Sequence, residues 1–222
     1  MWRDTVLVAG KDLRIELRSR VVLHQVIPVA VLVLVLFAFA LGPDRAPMAH
    51  AAPGLFWVAV LFASVLAVQR SFALEAPDGA RDGLRLSGLD GGSIFVGKAA
   101  AIAVELFLLE VVLGVAVVVL YGVTLQGGLV LLCAAVAATI GLAATGTVYG
   151  VLATGLRARD TLVPLLVLPA VTPVMLGGSR AFAAALEGSS SDGWPWVQLL
   201  VAFSVLSLAA GTLAFGPLLE ES

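Results

Sequence analysis

The chain has 222 residues, of which 60% are hydrophobic and 13% are charged, with a formal net charge of −2 and a mean hydropathy of +1.07. A soluble globular domain usually carries about 25% charged residues. This composition therefore excludes a water-soluble fold and predicts an all-α protein whose solvent is the lipid bilayer. No basic patch with interleaved aromatic residues occurs, which argues against nucleic acid as a partner.

Residues 1–20 predict an amphipathic helix that lies along the membrane surface. One side carries apolar residues at steps of three and four: Trp2, Val6, Ala9, Leu13 and Leu17. The other side carries the charged residues Lys11, Asp12, Arg14, Glu16 and Arg18. Two interpretations are open and compatible: a simple surface anchor, and a helix that transmits motion from a cytoplasmic partner.

Six apolar runs are suitable for transmembrane helices, which need about 20 mostly apolar residues. They cover residues 21–41, 53–69, 99–121, 129–152, 161–176 and 196–215, so we expect one transmembrane domain over the whole chain. The fifth run is expected to bend, because it contains Pro164, Pro169 and Pro173. Residues 177–195 are polar and predict a re-entrant or interfacial segment on the outer side.

The basic residues predict the orientation of these helices. Arg45 and Arg180 lie on one side of the predicted bundle, and the other 11 of the 13 lysines and arginines lie on the opposite side. Both termini are therefore expected in the cytoplasm. The longest cytoplasmic connection is 70–98, which we interpret either as a docking surface for a soluble subunit or as a solvated connector.

Two acidic residues, Glu105 and Glu110, lie inside the third apolar run. Acidic groups in a membrane span are costly and therefore suggest a function. Five residues place them about 140° apart around a helix, so they form a poor acid–base pair. They are predicted either to hydrogen-bond inside the bundle or to contribute to a translocation or proton path.

Small residues four positions apart predict close helix packing. One such pair is Gly146 and Gly150, and another is Ser207 and Gly211. Neither the Gly10–Lys11 pair nor the Gly97–Lys98 pair continues as a phosphate-binding P-loop.

No catalytic centre or metal centre is predicted. His24 and His50 lie near opposite ends of the first span, too far apart to share one metal ion, and Cys133 is the single cysteine.

The order of several segments resembles one known family. The segments are residues 11–20 (KDLRIELRSR), Glu75 with 81–86 (RDGLRL), Gly97–Lys98, 165–169 (LLVLP) and Pro173–Val174. In order and spacing the chain is similar to the heme exporter B family, CcmB, the membrane subunit of the cytochrome c maturation ABC transporter.

The resemblance implies an ABC-2-type permease with six transmembrane helices, in the bacterial inner membrane, that works with a second copy of itself. ATP would be hydrolysed by a partner ATPase, CcmA. The other implied partners are CcmC, CcmD and the periplasmic heme chaperone CcmE, with heme as a candidate substrate. The implied ATPase-coupling residues are Glu75, Arg81, Asp82, Gly83, Leu84, Arg85 and Leu86.

Two other functions are considered beside this one. The first is a permease of the same architecture that exports another substrate. The second is an ion-coupled carrier that uses Glu105 or Glu110, although the matching inverted repeat that such carriers often show is not found in the sequence.

Overall fold

The computed structural model describes residues 2–19, 22–42, 45–73, 88–154 and 159–221, which form helices and no strands. This confirms the all-α prediction. The helices are α1 (Trp2–Ser19), α2 (Ile27–Leu41, after a π-helical turn at Val22–Val26), α3 (Arg45–Ala73), α4 (Gly91–Tyr121), α5 (Gly128–Thr154), α6 (Arg159–Ala170), α7 (Thr172–Glu187) and α8 (Ser190–Glu221).

Five helices in the described part of the chain are long and apolar enough to cross a membrane: those containing His24–Leu41, Ala46–Phe72, Gly91–Tyr121, Gly128–Leu152 and Ser190–Leu218. Many of their outward side chains are large and apolar, such as Phe39, Val119 and Leu206. Because so large an apolar surface is unfavourable in water, the chain is a multi-pass membrane protein.

The fifth predicted run, 161–176, is divided by a break at Val171 into α6 and α7. Val171 has φ −91° and ψ 2°, which departs from α-helical geometry. Pro169 and Pro173 flank the break, and neither can donate a backbone hydrogen bond to continue the helix. Neither piece alone reaches the length of a span.

Most of the segment 177–195 is helical. Residues up to Glu187 continue α7, whose buried face includes Gly178, Ala181 and Phe182 and packs against α3, α5 and α8. Gly188 ends α7 in the left-handed conformation (φ 73°), and α8 begins at Ser190. The polar residues near 189 thus form a tight turn, and a re-entrant position in the membrane stays a prediction.

The bundle has two ends. We call the end that carries α1 the α1 end, and the opposite end, where residues 122–127 connect α4 to α5, the far end. At the far end the amides of Gln126 and Gly127 donate to the carbonyl of Ala185, at 3.1 and 2.8 Å. These bonds join the α4–α5 connection to α7.

The four predicted small residues lie at helix–helix contacts within the chain. Gly146 lies against Val68, Gly150 against Phe72, and Gly211 against the ring of Phe95. The hydroxyl of Thr145 in α5 donates to that of Ser207 in α8 over 3.3 Å. These contacts bring α3, α4, α5 and α8 together without bulky side chains between them.

The contact at Gly211 generates a test of this packing. A leucine at this position would enter the space of the fully buried Phe95 ring, so Gly211→Leu should destabilise the fold by about 1–3 kcal/mol. The midpoint of thermal unfolding in detergent measures the loss. The matched change Gly54→Leu meets open space and should alter stability by less than about 0.5 kcal/mol. Equal midpoints for the two variants would contradict the packing described here.

Candidate functional site

Helix α1 is attached to the start of α4 at a glycine. A Cβ atom at residue 97 would lie 2.7 Å from Cβ of Val8 and 2.9 Å from the carbonyl oxygen of Thr5. Only glycine therefore lets the two backbones approach so closely. Val8 is buried in this contact, and α1 packs more extensively against α4 than against other helices.

Lys98 follows that glycine and is buried, with 2% of its surface exposed. Its Nζ lies 3.3 Å from Oδ2 of Asp12 in α1 and 5.1 Å from the centroid of the Phe72 ring in α3. Oδ1 of Asp12 also forms an ion pair with Nζ of Lys11, at 2.7 Å. A buried ammonium group is stable only with such partners, so this cluster joins α1, α3 and α4.

Lys98 is the last residue of the predicted cytoplasmic connection 70–98. In the structure α4 begins at Gly91, with the side chain of Asp90 accepting from the amide of Ser93 at 3.1 Å. Lys98 therefore lies inside a helix, and its charge is neutralised by α1.

A second ion pair joins α1 to α3. Nε of Arg70 lies 3.3 Å from Oε2 of Glu16, and both side chains are largely buried. The side of α1 predicted to be polar thus faces the bundle through Asp12 and Glu16. The predicted apolar side is exposed at Trp2, Val6 and Leu17, in the positions that lipid would cover.

The seven predicted ATPase-coupling residues lie outside the described residues. They are Glu75, Arg81, Asp82, Gly83, Leu84, Arg85 and Leu86, all within 74–87. The structure does describe both boundaries of this segment. Helix α3 ends at Ala73, directly before the segment, and Gly88 directly follows the segment, before α4 begins. Both boundaries belong to the helices that the two ion pairs attach to α1.

The two acidic residues of α4 have separate surroundings. Glu105 is half-buried, in electrostatic reach of Glu16, Asp12 and Arg70, and so belongs to the α1 end. Glu110 is buried with 4% of its surface exposed. The two carboxyl groups have different partners and form no common site.

Glu110 has its own partner in α5. The hydroxyl oxygen of Thr139 lies 2.7 Å from Oε1 of Glu110 and 2.8 Å from the carbonyl oxygen of Ala135. The second carboxyl oxygen, Oε2, has no hydrogen-bond partner among the described residues.

A polar cavity at the far end was not predicted from the sequence. Its volume is about 620 Å³, and its lining includes His50, Thr124, Ser179, Arg180 and Glu187. Arg180 and His50 can donate hydrogen bonds to an anionic group such as a carboxylate. These residues come from α3, α7 and the α4–α5 connection, so no spacing along the chain could have revealed the cavity. In the described ranges no cluster of three or more histidine, cysteine or acidic residues could hold a metal ion.

Comparisons with known proteins identify relatives over most of the chain. A family model described as "CcmB protein" matches residues 4–222. Heme exporter protein B of Bradyrhizobium diazoefficiens is 33% identical over 186 residues, which are 82% of each chain. The protein of that name from Pseudomonas aeruginosa is 29% identical over 211 residues, which cover 95% of this chain and 94% of the relative. That from Rhodobacter capsulatus is 28% identical over 179 residues, with 81% and 82% covered.

Because Asp12 pairs with the buried Lys98, we predict that α1 detaches from the bundle when the charge of Asp12 is removed. Asp12→Asn removes the carboxylate beside a buried ammonium group. We therefore expect the free energy of unfolding to fall by up to about 3 kcal/mol, the lower end of the range for breaking a buried ion pair. We also expect faster hydrogen–deuterium exchange in residues 2–19, measured by mass spectrometry in detergent. The change Arg14→Gln, at an exposed position of the same helix, should leave that exchange unaltered. Equal exchange in the Asp12→Asn variant and the wild type would contradict the role of this pair.

Proposed function

Because the chain belongs to the CcmB family, we propose that it is the permease subunit of an ABC transporter for cytochrome c biogenesis. In this proposal a partner ATPase hydrolyses ATP, and the permease couples that hydrolysis to the export or delivery of heme, or to release of the heme-loaded chaperone. The curated relatives named Heme exporter protein B support the substrate class.

The proposed orientation puts the α1 end in the cytoplasm of a bacterial cell, with the protein in the inner membrane. The positive-inside rule supports it, because Lys11, Arg14, Arg18, Arg70 and Lys98 all lie at the α1 end. The far end, with its polar cavity, then faces the periplasm. Arg180 would meet an anionic group of a periplasmic partner or of its cargo there.

One observation carries the coupling proposal: the two ion pairs attach α1 at the boundaries of residues 74–87. Arg70 and Glu16 hold α1 to the end of α3, and Lys98 and Asp12 hold it to the start of α4. A force applied to 74–87 or to α1 would therefore reach two membrane spans together. We propose that this segment, through Asp82 and Leu84, receives the motion of the ATPase.

The chain needs a partner to supply ATP chemistry. Its two Gly–Lys pairs are followed by Asp12 and Ala99, where a P-loop requires serine or threonine. We propose that the ATPase is CcmA, that the further partners are CcmC, CcmD and CcmE, and that two copies of this chain form the translocating unit. The permease itself would then be non-catalytic.

Two alternatives have distinct consequences. A permease of the same family architecture with another substrate would keep the ATPase and lose the link to cytochromes. An ion-coupled carrier would need Glu105 or Glu110 on a continuous path. The match of residues 4–222 to the CcmB family model favours the ATP-driven proposal.

The heme link predicts a phenotype. Deletion of the gene should abolish covalent heme in c-type cytochromes, detected by heme staining of membrane proteins after gel electrophoresis, and the wild-type gene should restore it. Glu110→Gln should also restore it, because the proposed ATP-driven function needs no proton path through this residue. Heme-stained cytochromes at wild-type levels in the deletion strain would instead favour a permease for another substrate.

The coupling proposal predicts loss of the ATPase from the complex. Asp82→Lys and Leu84→Asp place a reversed or new charge in the proposed contact and should reduce the ATPase recovered with the tagged permease at least tenfold, since a disrupted interface hot spot costs more than about 1.4 kcal/mol. Asp192→Lys makes the same charge reversal at the far end and should retain it. Recovery of the ATPase with all three variants would place the contact elsewhere.

A further inference from the structure

Helix α1 carries two basic side chains on a side that faces away from the bundle. Arg14 and Arg18 are exposed and lie one turn apart, at positions i and i+4 of the helix. The acidic residues nearest to them in sequence, Asp12 and Glu16, point toward the bundle, where they form the ion pairs with α4 and α3. The bundle therefore neutralises the acids of this part of α1 and leaves its outer side positive.

The side chains of α1 divide between three sides of the helix. At 100° per residue, the exposed apolar residues Trp2, Val6 and Leu17 centre about 110° from the side that packs against the bundle. The pair Arg14 and Arg18 lies about 110° further around the helix. When the apolar side points at the acyl chains, the two arginines therefore point along the membrane surface, away from the bundle.

The height of α1 in the membrane follows from its contact with α4. Val8 of α1 packs against Gly97, which lies 24 residues before Tyr121, the last residue of α4. At 1.5 Å per residue this separation is about 36 Å, whereas the hydrocarbon core of a bilayer is about 30 Å thick. With Tyr121 at one boundary of the core, α1 lies about 6 Å beyond the other boundary, in the layer of the phospholipid headgroups.

The chemistry of this position fits one class of ligand. A guanidinium group binds phosphate oxygens through paired N–H donors, and two residues one helical turn apart are close enough to reach the same phosphate. A zwitterionic lipid carries an ammonium group beside its phosphate, which opposes the attraction. An anionic phospholipid has no such group and attracts basic residues at the membrane surface.

A soluble acidic partner fits the position less well. Such a partner would approach from the side opposite the apolar residues, where α1 presents Asp4, Lys11 and Ile15. Asp4 would repel an acidic surface, and Lys11 is already in an ion pair with Asp12. The direction of Arg14 and Arg18 therefore favours a lipid that lies beside the helix over a protein that lies above it.

We propose that Arg14 and Arg18 bind the phosphate of an anionic phospholipid, such as phosphatidylglycerol, and that this lipid holds α1 in its packed position. The bound lipid adds to the two ion pairs between α1 and the bundle. The attachment of α1 thus depends on the lipid composition of the membrane. This inference concerns the packing of α1 and does not depend on the proposed transport function.

The test uses the full chain in nanodiscs of phosphatidylcholine alone or of an equal mixture with phosphatidylglycerol. Hydrogen–deuterium exchange in Trp2–Ser19, followed by mass spectrometry, measures the attachment of α1. Each arginine beside an anionic surface contributes about fivefold, so exchange should be roughly 25-fold slower in the mixture. Inorganic phosphate added to the phosphatidylcholine nanodiscs should not reproduce the slowing. Equal exchange in the two lipids, or equal slowing by inorganic phosphate, would overturn the proposal.

Variants locate the effect on the helix. The double change Arg14→Gln and Arg18→Gln should exchange equally in the two kinds of nanodisc, and Arg14→Gln alone should reduce the slowing about fivefold. In detergent without phospholipid the single change should have no effect, because the ligand is absent. Arg180→Gln removes the same charge at the far end of the bundle and should keep the full slowing.

Two results with the double variant would contradict the assignment. Full slowing by phosphatidylglycerol in that variant would show that the lipid acts on α1 without these arginines. A double variant that keeps its lipid dependence but no longer retains the ATPase in native membranes would assign the pair to that soluble partner. Either result would overturn the proposal.

Discussion

The buried ammonium group of Lys98 constrains the α1 end of this protein. With 2% of its surface exposed, it needs an anion and a polarisable neighbour, and Asp12 and the Phe72 ring supply them. Each belongs to a different helix, so one charge determines how α1, α3 and α4 meet. The proposed coupling segment leaves and rejoins the bundle around this cluster.

Close helix packing makes that cluster possible. Gly97 lets α1 approach α4, and Gly150 lets α5 approach the ring of Phe72. In a bilayer the lipid tails are as apolar as leucine, so helices associate through close van der Waals contact and hydrogen bonds. Small residues at these crossings therefore stabilise the α1 end together with the ion pairs. A displacement of α1 would therefore be transmitted to α3 and α4 through direct helix–helix contacts.

The remainder of the bundle contains a buried carboxyl group, an apolar groove and a polar cavity. Glu110 has one hydrogen-bonded oxygen and one buried oxygen without a partner among the described residues, and its side chain lies beside an apolar groove. The polar cavity with Arg180 opens at the far end. The molecule thus separates a charged, tightly joined end from an apolar groove and a polar cavity. In the proposed function, force enters at the charged end and other molecules are contacted elsewhere.

Composition and hydropathy alone determined the membrane class, the all-α fold and the approximate spans, because a spanning helix must satisfy its own backbone and needs a long apolar run. The order of motifs also indicated the family. Only the tertiary structure decided that Lys98 is buried against Asp12, that the proline-rich run breaks at Val171, and that Glu110 meets Thr139. These outcomes depend on which faces of distant helices meet. The periodicity of one segment shows which of its residues share a face, but it does not identify the helix on the other side.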